Sequence, residues 1–386
     1  MNICFVCNEY PPALHGGIGA FTKTMGLMLA DRGHRIHVIG AYAGLDTECT
    51  DVQDGVCVTR LPRLSGSGGT FRTRMTIFQH IARWCRRGEV DIVEVPDFEG
   101  WSAGWPQLTV PVVMRLHGSA TYFLDEMQQS PQPLLQWIER SAFLHADAHL
   151  ACSLYVDHRT RQIFRYNRPA QAIVYNGVEV PETLPSGPRE PSLVVFSGTL
   201  TRKKGVFSLV DAWRRVSRQI RGAELHLFGK DTSALNVPSV RKQLETAAGE
   251  ASDSIVFHGH VPLATLQQFY RKATAAVFPS YAEAFAIAPL EAMAQACPTI
   301  YSDRSSGPEL IDHGVNGLLI NPEDPDVIAS AILRLITQPA DAAAIGAEGW
   351  RTIRRRFDIH ELCLKNETEF RRVLEHTTSQ KLRKIG

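Results

Sequence analysis

Short β-branched apolar runs alternate with helix-patterned stretches along nearly the whole chain, and this rhythm limits the fold more than any single motif. The first half reads NICFVC, a helix over roughly 18–31, HRIHVIGAY, and later DIVEVP, PVVMRLH, AHLACS and AIVYNG. Such alternation specifies βα units around a mostly parallel sheet. It pauses at EVPETLPSGPREPS (179–192), where four prolines and no apolar periodicity mark a linker. The rhythm restarts with SLVVFSGT, a helix near 205–220, AELHLFGK, SIVFHGH, AAVFPS, PTIYSD and GLLIN.

At 386 residues the chain exceeds the size at which one core usually stops growing. The expected class is therefore α/β, with two doubly wound, Rossmann-like domains over residues 1–182 and 183–366 facing a cleft. A final helix, 367–386, is expected to return to the N-terminal domain. Leu362, Phe370 and Val373 have the spacing of a packed helix there.

With 41 Lys+Arg against 40 Asp+Glu, the net charge of +1 removes the global argument for a nucleic-acid partner. Cys4 and Cys7 fall inside the first strand pattern, and no second pair follows at zinc-finger spacing. The cysteines therefore read as buried reduced thiols, and no metal site is expected. The first residues lack the features of a secretory signal, and no apolar run reaches the roughly 18 residues that span a bilayer. A cytoplasmic protein is expected, with attachment to the inner membrane face left open.

In open α/β sheets ligands bind at the carboxyl ends of the strands, and the chemistry-bearing residues of this chain cluster there. In EYPPALHGGIGAF, Gly16, Gly17 and Gly19 separate the first strand from the first helix; they suit either an anion or a tight structural turn. His117 follows the strand PVVMRL and can hydrogen-bond a sugar or phosphate oxygen, or serve structurally. SGTLTRKKG places Arg202, Lys203 and Lys204 in a strand-to-helix turn, which fits a diphosphate or a solvated basic turn. In PSYAEAFAIAPLEAMAQACP, Glu283 is expected in the loop at a strand end and Glu291 inside the following helix. Asp97 and Glu99 in PDFEGW look superficially like a metal motif. They follow a strand of the other half, so an acceptor-facing or structural role is expected instead.

These segments, with RGHRIHVIG, VYNGVE, SSGPELI and HGVNGLLINPED, occur in an order that resembles glycosyltransferase family 4, the large retaining family built on the GT-B fold. The resemblance covers nearly the whole chain. It implies that Lys204 contacts the donor diphosphate, that Glu291 binds the nucleotide ribose, and that Glu283 lies at the transferred sugar. It further implies that backbone N–H groups at Phe285, Ala286 and Ile287 face sugar and phosphate oxygens, with Gly16 and Gly17 closing on the diphosphate. His117 would act beside the reacting centre, and the turn ending at Val261 would hold the nucleobase. The implied activity is hexosyl transfer from a nucleoside-diphosphate sugar, UDP before GDP or ADP, with no cofactor. The acceptor would be a hydroxyl of a sugar, glycolipid or small molecule, in polysaccharide, glycolipid or glycoside synthesis. A GT-B sugar-nucleotide epimerase is the rival.

Three departures stand out. Thr199 replaces an Arg, a loss that Arg202 is expected to make good, while Ala286 and Ala296 replace glycines. Residues 72–88, RTRMTIFQHIARWCRRG, form a basic amphipathic pattern. Met75, Phe78, Ile81, Ala82 and Cys85 can face either an anionic membrane surface or the sheet of the N-terminal domain.

Overall fold

The structure, a computed structural model, describes residues 1–12, 16–232 and 239–385, with the backbone alone over 378–385. The chain divides into two compact units, residues 1–176 with 360–386, and residues 177–359.

The first unit runs β1 (Asn2–Val6), α1 (Gly17–Asp31), β2 (Arg35–Tyr42), β3 (Cys49–Gln53), β4 (Val56–Pro62), α2 (Gly69–Arg86), β5 (Ile92–Pro96), β6 (Val112–Leu116), α3 (Ala120–Glu126), α4 (Pro133–His145), β7 (Ala148–Ala151), α5 (Leu154–Phe164) and β8 (Ala172–Ile173). The second runs β9 (Leu193–Ser197), α6 (Val206–Gln219), β10 (Glu224–Phe228), α7 (Val240–Ala248), β11 (Ile255–Gly259), α8 (Leu263–Lys272), β12 (Ala275–Phe278), α9 (Ile287–Ala294), β13 (Thr299–Ser302), α10 (Gly307–Leu310), β14 (Leu318–Ile320), α11 (Pro325–Thr337) and α12 (Pro339–Arg356). Helix α13 (Ile359–Ile385) closes the chain.

The second sheet has the order β11-β10-β9-β12-β13-β14, the doubly wound arrangement with its switch point between β9 and β12. The first has the order β3-β4-β2-β1-β5-β6-β7-β8 and is parallel except for the β3–β4 hairpin at its edge. Burial on both faces explains why β1 and β9 read as near-continuous apolar runs, and why β5 and β6 do so except at Glu94 and Arg115, which pair with each other. Val206, Leu209, Val210, Trp213 and Val216 line one face of α6 and share a core with Ile328, Ile332 and Leu335 of α11.

The unit boundaries lie a few residues before the expected ones, for reasons of hydrogen bonding. The proline-rich stretch and the residue before it are tied to the second unit: Val178 N–H donates to Phe357 O at 3.1 Å and Arg189 Nη1 to Ala273 O at 2.7 Å. At the other end Leu362, Cys363, Phe370 and Val373 are buried, and Asn366 Oδ1 accepts from Arg115 of β6. Helix α13 therefore joins the first unit from its first turn.

Helix α2 bears on the two readings left open for its apolar stripe. Its Ile77, Ile81 and Cys85 are buried, and Phe78 packs on Trp105 at 6.0 Å between ring centroids. Arg74, one of the five arginines that make the segment basic, is buried and donates to Glu99 O at 2.7 Å. Of the stripe, Ile81 and Cys85 thus lie in the core while Met75, Phe78 and Ala82 are half-buried, and the outward face offers Phe71, Arg72, Arg83 and Arg86. All eight cysteines are free; Cys49 is exposed and Cys57 half-buried, against the expectation of burial. No single helix among the described residues is long and apolar enough to cross a membrane.

Candidate functional site

The loops that leave β9, β10, β11 and β12 are stitched together at the carboxyl end of the second sheet. Gly198 N–H donates to Phe228 O at 2.9 Å, Gly229 N–H to Gly259 O at 2.7 Å, and Tyr281 N–H to Lys203 O at 2.8 Å. Gly205 adopts φ 72°, and a Cβ there would sit 1.8 Å from Pro279 O, so only glycine lets the basic turn lie against the glutamate loop. Gly205→Ala is expected to cost more than the roughly 1–2 kcal/mol of a left-handed residue, because the clash adds to it. An unchanged urea midpoint would show that the loop yields instead.

Across that contact Lys204 Nζ donates to Glu283 Oε1 at 2.5 Å. Burial alone would raise the Glu283 pKa, but the charges of Lys204 and Lys203, with hydrogen bonds from Lys204 and Ser280, outweigh it and hold the carboxyl below its usual range. Glu283 N–H donates to Ser305 Oγ at 3.4 Å, which fixes the loop from β13. Lys203 is half-buried, its pKa lowered by burial against the pull of Glu283. Arg202 is exposed, its guanidinium 4.3 Å over the Phe207 ring. The sequence nominated Arg202 as second cation; Lys203, beside it, is the less exposed of the two, and its charge lowers the Glu283 pKa together with that of Lys204. Residue order alone gave no sign of this, since the choice depends on which way the short turn faces.

Helix α9 starts at Ile287 and bears no side-chain cap, with Ala286 in extended conformation before it. The Phe285 side chain is buried and packs on Phe357 at 5.4 Å, so any role it has toward a ligand is through its backbone. Glu291, one turn into the helix, is half-buried with its pKa pushed up to about 7 by burial alone. An ionised carboxylate held without a compensating cation is costly, and hydrogen-bond donors from a ligand would relieve the cost. Val261 lies half-buried between β11 and α8. Ala296 carries φ 54°, a conformation that glycine adopts without strain.

In the first unit Gly16 caps α1 and Gly17 begins it, both exposed, while residues 13–15 of that motif lie outside the described residues. Gly19 N–H donates to Glu9 Oε1 at 2.7 Å, so a carboxylate of the chain itself satisfies this helix end. His117 is half-buried, its ring 4.8 Å from that of Phe21, and its backbone N–H donates to Asp97 Oδ1 at 2.9 Å. Burial, with a smaller contribution from Arg115, pushes the imidazole pKa down to about 3. The ring is neutral at physiological pH, one nitrogen donating and the other accepting. Asp97 is itself buried, its pKa pushed up to about 8 mainly by burial against the backbone N–H groups of His117 and Gly118.

Comparison with known proteins bears on both units. Residues 15–181 match the family model described as Glycosyltransferase Family 4, and residues 191–338 the one described as Glycosyl transferases group 1. A glycosyltransferase of Methanocaldococcus jannaschii is 24% identical over 87% of this chain and 89% of its own. The glycogen synthase of Mycobacterium tuberculosis is 23% identical over 89% and 87%. Among solved structures, sucrose-phosphate synthase from Thermosynechococcus elongatus superposes with a TM-score of 0.80 at 20% identity, covering 97% of this chain and 99% of that one. The Anabaena protein HepE, solved in complex with UDP and glucose, gives 0.73 at 18% identity, covering 95% and 98%. The epimerase reading finds no support in these matches.

Proposed function

We propose that this chain, which belongs to the family 4 glycosyltransferases, moves a hexose with retention from a nucleoside-diphosphate sugar to a hydroxyl acceptor. The observation that carries the donor side is the ion pair between half-buried Lys204 and buried Glu283, in a loop locked by Gly205, with Lys203 next in the same turn. Three cations in the turn, Arg202, Lys203 and Lys204, against one glutamate leave positive charge over, which suits a departing diphosphate. Electrostatic stabilisation of that leaving charge is usually the largest catalytic contribution. Glu283 keeps Lys204 placed before the donor arrives and orients sugar hydroxyls. The N–H groups around Phe285, Ala286 and Ile287 meet sugar and phosphate oxygens, Glu291 takes the ribose, and Val261 the base. Neutral His117 serves the transferred sugar, and the first unit, with Gly16 and Gly17, supplies the acceptor side and a second hold on the diphosphate.

In the same-face route the C1–oxygen bond to diphosphate breaks while the acceptor oxygen bonds C1. The acceptor proton passes to the departing phosphate oxygen, so the protein need offer no covalent nucleophile. UDP is the first candidate because HepE was solved with UDP and glucose; GDP and ADP follow. Acceptors of cell-surface polysaccharide, glycolipid or glycoside synthesis fit the family. Attachment to an anionic surface through residues 72–88 would rest on exposed arginines without an apolar stripe to insert, at a cytoplasmic membrane face.

Nucleoside-diphosphate release from a panel of UDP-, GDP- and ADP-sugars tests the reading. Turnover of one donor class supports it, and no release from any would sink it. Within the basic turn, Lys203→Ala is expected to weaken nucleoside-diphosphate binding about tenfold or more, and Arg202→Ala to change it little. Titration calorimetry on the two variants decides, and the reverse order would restore Arg202 as the second cation.

A further inference from the structure

Glu139 of α4 is 1% exposed, and among the described residues it forms no ion pair closer than 4 Å, Arg74 acting on it only through space. Instead it accepts three backbone N–H groups from two separate loops. Oε1 takes Glu99 N–H at 2.9 Å and Ala120 N–H at 2.9 Å, and Oε2 takes Thr121 N–H at 2.8 Å. The first of these lies in the loop after β5, the other two at the start of α3, just after the β6 loop that carries His117. The two loops are joined a second time where Asp97 accepts His117 N–H.

The β5 loop is held in a conformation it would not choose. Glu99 has φ 61° and ψ 1°, uncommon for a residue with a side chain. Its N–H is fixed by Glu139, its carbonyl by Arg74 Nη2 at 2.7 Å, and its carboxylate faces Arg63 Nη2 at 3.3 Å. A Cβ on Gly100 would stand 3.0 Å from Glu139 Cα and from Ile138 O, so α4 presses directly on this backbone. Strained residues persist where surroundings over-determine them, and such places favour pre-organised sites. A buried carboxylate is an expensive way to satisfy three N–H groups that water could serve, unless their relative placement matters.

We infer that Glu139 is a positioning residue: it touches no substrate, but by bridging the β5 and β6 loops it sets Asp97 and His117 in one working geometry. The inference rests on the proposed role of His117 and adds to it a residue on a helix behind the loops.

Glu139→Gln tests it with little change of shape. Its single amide oxygen can serve Glu99 and Ala120, but its NH2 then opposes Thr121 N–H, donor against donor. On the wild-type chain and this variant, kcat for nucleoside-diphosphate release and the Kd for the nucleoside diphosphate are measured well below the melting temperature. A fall in kcat of more than about tenfold with donor KM and nucleotide Kd unchanged is the expected result, because only the first unit's loops have shifted. Should Glu139→Gln not fold, Glu139→Asp, which shortens the reach by one methylene, carries the same comparison. Wild-type kcat in a folded variant, beside an inactive His117→Ala, would overturn the positioning role and leave His117 standing. Wild-type kcat in His117→Ala would overturn both.

Discussion

Arg115→Met is expected to lower the stability of the protein by about 3–5 kcal/mol, the usual cost of removing one partner from a buried ion pair. Arg115 is 0% exposed on β6 and Glu94 4% exposed on β5, joined through Nε at 3.2 Å and Nη2 at 2.7 Å. The same Nη2 donates to Asn366 of α13, and the guanidinium lies 4.9 Å from the Phe21 ring centroid. Methionine fills much of the volume but leaves the Glu94 carboxylate buried without its cation and Asn366 without its donor. The fall should appear in the urea midpoint at constant slope. Arg115→Met with Glu94→Leu should recover much of the loss, since it is the unpaired charge that costs most. Equal midpoints for wild type and single variant would mean that Glu94 finds water or another partner. The cluster also explains why α13 joins the first unit, with Phe370 against Phe5 at 6.4 Å and Glu367 against Arg32 at 2.7 Å.

His117→Ala is expected to reduce turnover about 10²- to 10³-fold, the range for losing one pre-organised hydrogen-bonding group at the reacting centre, while nucleotide affinity stays near wild type. Both quantities should come from one preparation, and full activity would return His117 to a structural role. Its depressed pKa has a second consequence. Between its unfolded value of about 6.5 and its folded value of about 3, the unfolded chain binds a proton that the folded chain refuses. This contribution to stability is therefore intact above pH 6.5 and declines as pH falls toward 3. His117→Ala lacks that component, so its stability should fall less steeply over the same window.

Much of the architecture was legible because it is written in local periodicity. The helix expected over 18–31 is α1, the one near 205–220 is α6, and each apolar run from NICFVC to GLLIN forms a strand. The glycine of the basic turn could also be read, since its neighbours demanded a strand-to-helix reversal. What could not be read depends on contacts between distant segments. The stripe of α2 suits a membrane and a sheet equally well; only the packing of Ile77 and Ile81 and the burial of Arg74 decide between them. Lys203 and Arg202 are adjacent and both basic, and that Arg202 is exposed over Phe207 while Lys203 is half-buried is a property of the folded turn. Glu139 sits in an ordinary amphipathic helix, WIERSAFLH, and nothing in that pattern announces three backbone donors from two loops. The domain limits slipped for the same reason, the linker's hydrogen bonds being long-range.

The most direct test of the account is titration calorimetry of a nucleoside diphosphate, UDP first, against wild type, Lys204→Ala and Glu291→Ala. Loss of a hydrogen bond to a charged group is typically worth about 1.5–3 kcal/mol, so each variant should bind about 10- to 150-fold more weakly. Wild-type binding should also strengthen as pH rises through about 7, where Glu291 ionises and can accept from ribose hydroxyls. Glu291→Ala should lose that pH dependence, while Lys204→Ala keeps it. Wild-type affinity in both variants, with a flat pH profile, would contradict the placing of the donor on the lysine turn and α9 of the second unit.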